Sequence, residues 1–174
     1  KIVIARYGGS WRGIKPKVAA ERGAIGCLIY NDPGDDGFAE GDGYPDGAYK
    51  HETAVQRGSI VDLPLRPGDP LTPYYGATED AKRLAVSESE TIMKIPTLPI
   101  SYATARQLFA AMEGPLAPSA WRGGMPLTYR LGGDGAAKVH LNVAYNWDVK
   151  PAYNVIGKLQ GSEHPDQWII RGNH

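Results

Sequence analysis

The chain has 174 residues, of which 42% are apolar and 22% are charged, and its 19 basic and 19 acidic side chains cancel. This composition favours a packed core and argues against disorder. Zero net charge argues against nucleic acid or an anionic membrane surface as the main partner, because both need a basic excess. The 22 Gly and 14 Pro residues are spread through the chain and predict many turns and long ordered loops.

The first thirty residues predict a strand, a helix and a second strand. Residues 2–5 form a short apolar run, residues 15–22 have a helical pattern, and Gly23 fits the end of a helix. Residues 24–30 are almost wholly apolar, which is typical of a strand buried on both faces. This order predicts a βαβ unit.

The middle of the chain predicts loops, followed by an edge strand and a helix. Residues 31–79 are dense in Gly, Pro and Asp, with one short strand expected near "SIVDL". "IPTLPIS" contains prolines, which favour an edge strand. Ser101 is a good N-cap for a helix over "YATARQLFAAME", whose Leu108, Phe109 and Met112 face the core.

The last part of the chain predicts two kinds of strand. Apolar and polar residues alternate over 138–145, which indicates a half-buried strand. "YNVIGKLQG" and "WIIRGN" flank the turn "SEHPDQ" and predict a β-hairpin. Residues 147–151 separate these elements, so we place a domain junction there.

Most residues with reactive side chains have an ordinary structural explanation. The acidic loop from Asp32 fails as an EF-hand, because Gly43 stands at the twelfth position, where a Glu is needed. "GGDG" at 132–135 precedes no helix and predicts a turn. Cys27 lies in an apolar run and is expected in the core. His51, His140 and His164 are expected to be solvated or structural.

Two positions favour a functional site. His174 follows an apolar run, and ligands collect at the carboxyl ends of strands, where a neutral imidazole can bind a metal. An incidental chain end remains the alternative. Trp11 and Arg12 fall between the first strand and the first helix. An Arg there can hold a carboxylate through two parallel hydrogen bonds, and a plain surface Arg is the alternative.

Seven stretches together resemble the protease-associated (apical) domain of the glutamate carboxypeptidase II and transferrin receptor family. In chain order they are "KIVIARYG", "RGIKPKVAAERGAIGCLIYNDP", "YPDG", "VQRG", "GDPLTP", "IPTLPISYATARQL" and "YNVIGKLQGSEHPDQWIIRGNH". The resemblance implies a mixed α/β (α+β) domain over residues 1–149, lacking its N-terminal part. Its central sheet or sandwich would be flanked by helices. Residues 150–174 would be the first strands, as a β-hairpin, of an α/β zinc peptidase domain.

The same resemblance implies roles for individual residues. His174 matches the first zinc ligand. Arg12 matches the Arg that grips the free carboxylate of a C-terminal substrate residue, and Trp11 stands where the family has Phe. Ser59 replaces an Asn that helps to hold a glutamate side chain, which puts glutamate specificity in question. Thr72 and Tyr75 match residues of a calcium site beside a dimer interface.

The implied function is that of a protease-associated fragment of a dizinc exopeptidase, a carboxypeptidase-like hydrolase of peptides with a free C-terminal carboxylate. The implied partners are a peptide substrate, the remainder of the catalytic domain and a second copy in a homodimer. The implied location is extracytoplasmic. The chain alone should be inactive, because one His cannot hold two zinc ions. A non-catalytic receptor of transferrin-receptor type is an alternative that His174 disfavours. A second alternative is a protease-associated module attached to an unrelated protein. The hairpin 153–174 disfavours it, because the hairpin resembles strands of the catalytic domain.

Overall fold

A three-stranded parallel sheet forms the centre of the fold. In this computed structural model, which describes residues 1–133 and 137–173, the strands are β1 (Ile2–Arg6), β2 (Gly26–Tyr30) and β3 (Thr97–Ile100). Their order is β1-β2-β3. Ile4 lies beside Leu28, and Leu28 lies beside Leu98. All three carboxyl ends therefore share one edge of the sheet.

The predicted βαβ unit is confirmed. Helix α1 (Ile14–Glu21) connects β1 to β2, and Gly23 with a φ of 81° turns the chain after the helix. Every residue of β2 is buried. An apolar strand without polar alternation suits this central position, because neighbours cover both of its faces.

The predicted edge strand and capped helix are also confirmed. Helix α3 (Tyr102–Ala110) starts at Ser101, whose Oγ accepts a hydrogen bond from the backbone N–H of Thr104 at 3.2 Å. The helix ends three residues before the predicted Glu113. Phe109 packs edge-on against the Tyr30 ring, with centroids 5.4 Å apart. No helix in the described ranges has the length and apolar character needed to cross a membrane.

The core lies between the sheet, α3 and the loop after it. Its buried members are Leu28, Tyr30, Ile100, Tyr102, Ala105, Ala117, Met125 and Tyr129. Asp32 ties that loop to the end of β2, as N-cap of the short helix α2 (Pro33–Asp36). Its carboxylate accepts from the backbone N–H of Gly34 at 2.9 Å and of Gly124 at 2.6 Å. The loop therefore closes over the carboxyl end of the central strand.

Residues 31–79 are mostly loop, as predicted, apart from the short α2. The irregular chain continues to β3 with a 3₁₀ turn at Val86–Glu88. The strand expected near "SIVDL" is reduced to one antiparallel bridge between Val61 and Ile92. Pro64 and Pro67 follow directly and have no backbone N–H to extend the pairing. The prediction of a regular strand there was wrong.

Residues 138–145 do not form the predicted strand. Of the four residues on its predicted apolar side, Leu141 and Val143 are partly buried, whereas Val139 and Tyr145 are exposed. Leu141 packs against the core, and Val143 is half-buried. The hydroxyl of Tyr145 donates to the carbonyl of Thr97 in β3 at 3.3 Å. A backbone ladder is disfavoured because β3 contains Pro99, which offers no N–H. The segment therefore contacts the sheet through side chains.

The C-terminal hairpin forms its turn without its strands. The backbone N–H of Gln167 donates to the carbonyl of His164 at 3.1 Å, and the Lys158 ammonium lies 5.0 Å from the Trp168 ring centroid. The chain therefore doubles back as predicted. Residues 151–173 are exposed throughout and contain no strand. The predicted hairpin strands were wrong for this chain, because a two-stranded hairpin is marginal unless another surface covers it.

The small mixed α/β class of the fold agrees with the sequence prediction. The division into domains 1–149 and 150–174 stays a prediction. The expected turn at 132–135 lies partly outside the described residues, and His174 lies wholly outside them.

Candidate functional site

A cavity of about 420 Å³ opens at the carboxyl ends of β1 and β2. It is lined by Tyr7, Gly8, Ser10, Trp11, Arg12, Asn31, Asp35, Asp36 and Gln56. In sheets with parallel strands, ligands bind at this edge, where loops and helix starts leave a crevice. The loop between β1 and α1 supplies the largest share of the lining.

That loop is held in place from both ends. Gly8 and Gly9 have φ values of 101° and 71°, a region that Gly adopts without strain, and they turn the chain away from β1. Farther along, the indole N–H of Trp11 donates to the carbonyl of Val61 at 3.0 Å. Gly13 is buried directly against the Val61 backbone, where any side chain would collide. The loop is therefore a fixed wall of the cavity.

Arg12 brings an unpaired positive charge to this wall. Its Cζ lies 4.5 Å from the centroid of the Trp11 ring, a cation–π arrangement. Within the described ranges, its guanidinium makes no hydrogen bond or ion pair, although it lines the cavity. A guanidinium has five N–H donors in a planar fork that matches a carboxylate or phosphate. The cavity is therefore suited to an anionic group.

The two carboxylates in the lining already have cationic partners. Asp35 lies 3.6 Å from the Nε of Arg6, and Asp36 is paired with the ammonium of Lys50. Each of these negative charges is therefore balanced by a cation other than Arg12. This pairing leaves the guanidinium available to a ligand.

Two further polar groups stiffen the cavity. The hydroxyl of Tyr7 donates to the carbonyl of Gln56 at 2.8 Å; burial raises the pKa of Tyr7, and the charge of Arg12 opposes that rise. The ammonium of Lys15 donates to the carbonyl of Gly8 at 2.7 Å, and burial lowers the pKa of Lys15. Both groups bind backbone carbonyls, so they hold the loops together.

Sequence reasoning missed Asn31. It directly follows β2, lines the cavity and is only 7% exposed, yet its Oδ1 has no hydrogen-bond partner among the described residues. A buried polar atom without a partner is costly. Its position just beyond a central strand, at the ligand-binding edge, was the signal that could have identified it.

The structure brings together only some of the residues assigned by resemblance. Trp11 and Arg12 both line the cavity. Ser59 is exposed and is not part of the lining, but its neighbour Gly58 lies directly against the Arg12 guanidinium. The wall near Arg12 is thus formed by the backbone of this segment.

Thr72 and Tyr75 lie in another loop and do not line the cavity. Thr72 is 2% exposed, and its hydroxyl donates to Oδ2 of Asp69 at 2.9 Å. Tyr75 is 52% exposed, and its hydroxyl donates to the carbonyl of Lys82. The two residues are joined by a weak backbone hydrogen bond of 3.4 Å.

No group of three or more His, Cys, Asp or Glu side chains in the described part of the chain is arranged to hold a metal ion. The zinc ligand assigned to His174 is outside that part. Cys27 is fully buried, as predicted, and burial raises its pKa to about 11. A buried neutral thiol is a poor nucleophile and a poor metal ligand.

The chain is similar along its whole length to curated proteins named as peptidases. It is 38% identical to a glutamate carboxypeptidase 2 homolog of Caenorhabditis briggsae, over 100% of the chain and 24% of that relative. It is 35% identical to the aminopeptidase NAALADL1 of Mus musculus, over 99% of the chain and 24% of the relative.

A fungal relative gives the same result. The chain is 40% identical to a probable glutamate carboxypeptidase of Arthroderma benhamiae, over 100% of the chain and 25% of the relative. No family model matches the chain. The chain thus spans about a quarter of the length of these curated relatives.

Proposed function

Because the chain is homologous over its whole length to a segment of glutamate carboxypeptidase-like peptidases, we propose that it is the protease-associated part of such an enzyme. It forms one wall of the substrate cavity and binds the free C-terminal carboxylate of a peptide. The reaction of the intact protein is hydrolysis of a peptide bond.

One observation carries this proposal: Arg12 lines a cavity at the ligand-binding edge of the sheet and has no counterion among the described residues. A substrate carboxylate would accept two parallel N–H bonds from its fork. The Trp11 ring beside the guanidinium restricts the orientations available to it. Holding the substrate end in this way places the scissile bond at a fixed distance from the wall.

The chemical step belongs to the rest of the proposed enzyme. Two zinc ions there would polarise the peptide carbonyl. His174 is the one zinc ligand that this chain is proposed to supply, and the described residues contain no group of three or more His, Cys, Asp or Glu side chains arranged to hold a metal ion. The chain's own contribution is to bind and orient the substrate, so it should not hydrolyse peptides by itself.

The pocket is proposed to differ from one that selects glutamate. Ser59 is exposed, lies outside the cavity lining and has no amide to hold a side-chain carboxylate. Asn31 instead places a buried amide in the lining. We therefore expect acceptance of C-terminal residues other than glutamate.

Residues 150–174 are proposed to be the first strands of the catalytic domain. This stretch contains two pairs of consecutive apolar residues that are between 85% and 103% exposed: Val155 and Ile156, and Ile169 and Ile170. Consecutive residues of a strand point to opposite faces, so a strand at either pair would be apolar on both faces. Strands that are apolar on both faces are typical of parallel sheets covered by helices. The longer relatives have room for such a sheet.

Calcium binding, dimerisation and an extracytoplasmic location are also proposals. Thr72 and Tyr75 would supply oxygen ligands, and the buried Thr72 hydroxyl already lies beside the Asp69 carboxylate. Calcium prefers such hard oxygen donors. The homodimer and the location rest on the family resemblance alone.

The test compares peptide substrates that end in a carboxylate or an amide, using the full-length protein. Arg12→Ala should raise KM for the carboxylate peptide roughly 10- to 100-fold, since charge-assisted bonds contribute about 1.5–3 kcal/mol. The amidated peptide should be little affected. Arg66→Ala is the matched control, because Arg66 also stacks on an aromatic ring, Tyr74 at 4.6 Å, without lining the cavity.

Equal effects of Arg12→Ala on both peptides would remove Arg12 from carboxylate binding. A full-length protein with no peptidase activity on either peptide would favour the receptor alternative.

A further inference from the structure

The Arg12 guanidinium occupies the space that a side chain at position 58 would need. A Cβ added to Gly58 would overlap Nη1 of Arg12 and would lie 2.6 Å from its Cζ and 3.3 Å from Nη2. Carbon atoms not bonded to each other do not approach this closely. The guanidinium and a side chain at residue 58 therefore exclude each other.

Two hydrogen bonds fix the segment that carries Gly58 against the Arg12 loop. On one side of Gly58, the carbonyl of Gln56 accepts from the Tyr7 hydroxyl at 2.8 Å. On the other side, the carbonyl of Val61 accepts from the Trp11 indole at 3.0 Å. The backbone at Gly58 is therefore a fixed surface against which the guanidinium rests.

The backbone conformation itself does not demand glycine at this position. Gly58 is outside the set of glycines with positive φ, so an alanine would adopt its backbone without strain. The three atoms nearest to the added Cβ all belong to the far end of the flexible Arg12 side chain. An alanine should therefore move Arg12 and leave the fold intact.

We propose that Gly58 is a positioning residue for Arg12, because its missing side chain leaves the space that holds the guanidinium beside Trp11 in the cavity. This inference rests on the proposed role of Arg12 in binding a substrate carboxylate. It assigns a reason for glycine in the "VQRG" stretch, and it makes residue 58 a determinant of affinity for carboxylate-ended peptides. Bidentate recognition depends on the direction of the planar fork, so even a small displacement weakens it.

The first experiment measures position without relying on activity. In NMR spectra of the 174-residue chain, Gly58→Ala should shift the Arg12 Nε–H and Trp11 indole N–H signals, because the guanidinium leaves its place over the ring. The melting temperature should stay within a few degrees of wild type. Gly76→Ala is the matched control, since an added Cβ there meets no atom within 4 Å.

The second experiment measures the consequence in the full-length protein. Gly58→Ala should raise KM for the carboxylate peptide about tenfold or more, leave kcat within about twofold, and leave the amidated peptide unchanged. The double variant Arg12→Ala/Gly58→Ala should behave like Arg12→Ala alone, because both changes act on the same contact.

Unchanged Arg12 and Trp11 signals in Gly58→Ala would overturn the inference, as would an effect that adds fully to that of Arg12→Ala. Failure of the proposed function looks different. In that case Arg12→Ala would not discriminate the two peptides, while the NMR shifts caused by Gly58→Ala would still be seen.

Discussion

The hydroxyl of Tyr129 donates a hydrogen bond of 2.8 Å to Oδ2 of Asp32, although the two residues are 97 positions apart in the chain. Asp32 is fully buried and also accepts from two backbone N–H groups, those of Gly34 and Gly124. This carboxylate therefore joins the end of β2 to the loop that covers the core. Asn31, in the cavity lining, is its immediate neighbour.

Asp32→Asn should lower the free energy of unfolding by about 1–3 kcal/mol, the cost of leaving buried hydrogen-bonding groups without proper partners. The new NH₂ group is a donor facing a site where four donors converge, the N–H groups of Gly34 and Gly124 and the hydroxyls of Tyr129 and, more weakly at 3.4 Å, Tyr30, so at least one of them loses its acceptor. Urea unfolding followed by tryptophan fluorescence measures the change.

Asp35→Asn is the control for that experiment. Asp35 is an exposed member of a surface ion pair with Arg6, and such pairs contribute about 0–1 kcal/mol. An equal loss of stability in the two variants would show that Asp32 is not the special junction described above.

Gly123→Ala should destabilise the chain by about 1–3 kcal/mol through overpacking. An added Cβ would overlap the Asp32 carboxylate, which cannot retreat easily because four donors hold it. Gly132→Ala is the matched control, since its Cβ meets nothing within 4 Å. The same unfolding measurement applies, and a neutral Gly123→Ala would show that this loop yields easily.

Local sequence signals sufficed for the elements that build the sheet edge. The apolar run of β2, the Gly after α1 and the Ser101 cap each depend on a few neighbouring residues, so their patterns are visible in the sequence. The position of Arg12 between a strand and a helix also placed it at the ligand-binding edge.

The features that sequence reasoning missed depend on contacts between distant segments. Asp32 accepts a hydrogen bond from Tyr129, and Arg12 lies against Gly58. Helical and strand periodicity relate only residues close together in the chain, so neither contact leaves a pattern in the sequence. The hairpin failed for a related reason. Its turn was identified correctly, but strands form only when another surface is present to cover them.

Cys27 should make the chain less stable at alkaline pH. Burial raises its pKa from 9.0 to about 11, so the folded state keeps a proton that the unfolded state releases. Stability from this group is therefore complete below pH 9 and is lost as the pH rises toward 11. The loss can be at most about 1.4 kcal/mol per pH unit.

Comparison with Cys27→Ala isolates this contribution, because the buried hydroxyls of Tyr30 and Tyr129, whose pKa values burial also raises, are present in both proteins. The stability advantage of wild type over the variant should shrink between pH 9 and 11. A constant difference across that range would contradict the assigned pKa shift.

Ile169→Lys should have little effect on the stability of the isolated chain and a large effect on that of the proposed full-length peptidase. Ile169 is 99% exposed here, so the change should alter the free energy of unfolding by less than about 0.5 kcal/mol. In the full-length protein, where residues 150–174 are proposed to enter a covered sheet, a buried unpaired ammonium should cost several kcal/mol. Ile29→Ala, in fully buried β2, should cost about 2–5 kcal/mol in both forms and serves as the reference. Thermal unfolding of these four variant proteins and the two wild-type forms decides the question. A harmless Ile169→Lys in the full-length protein would exclude these residues from the catalytic sheet.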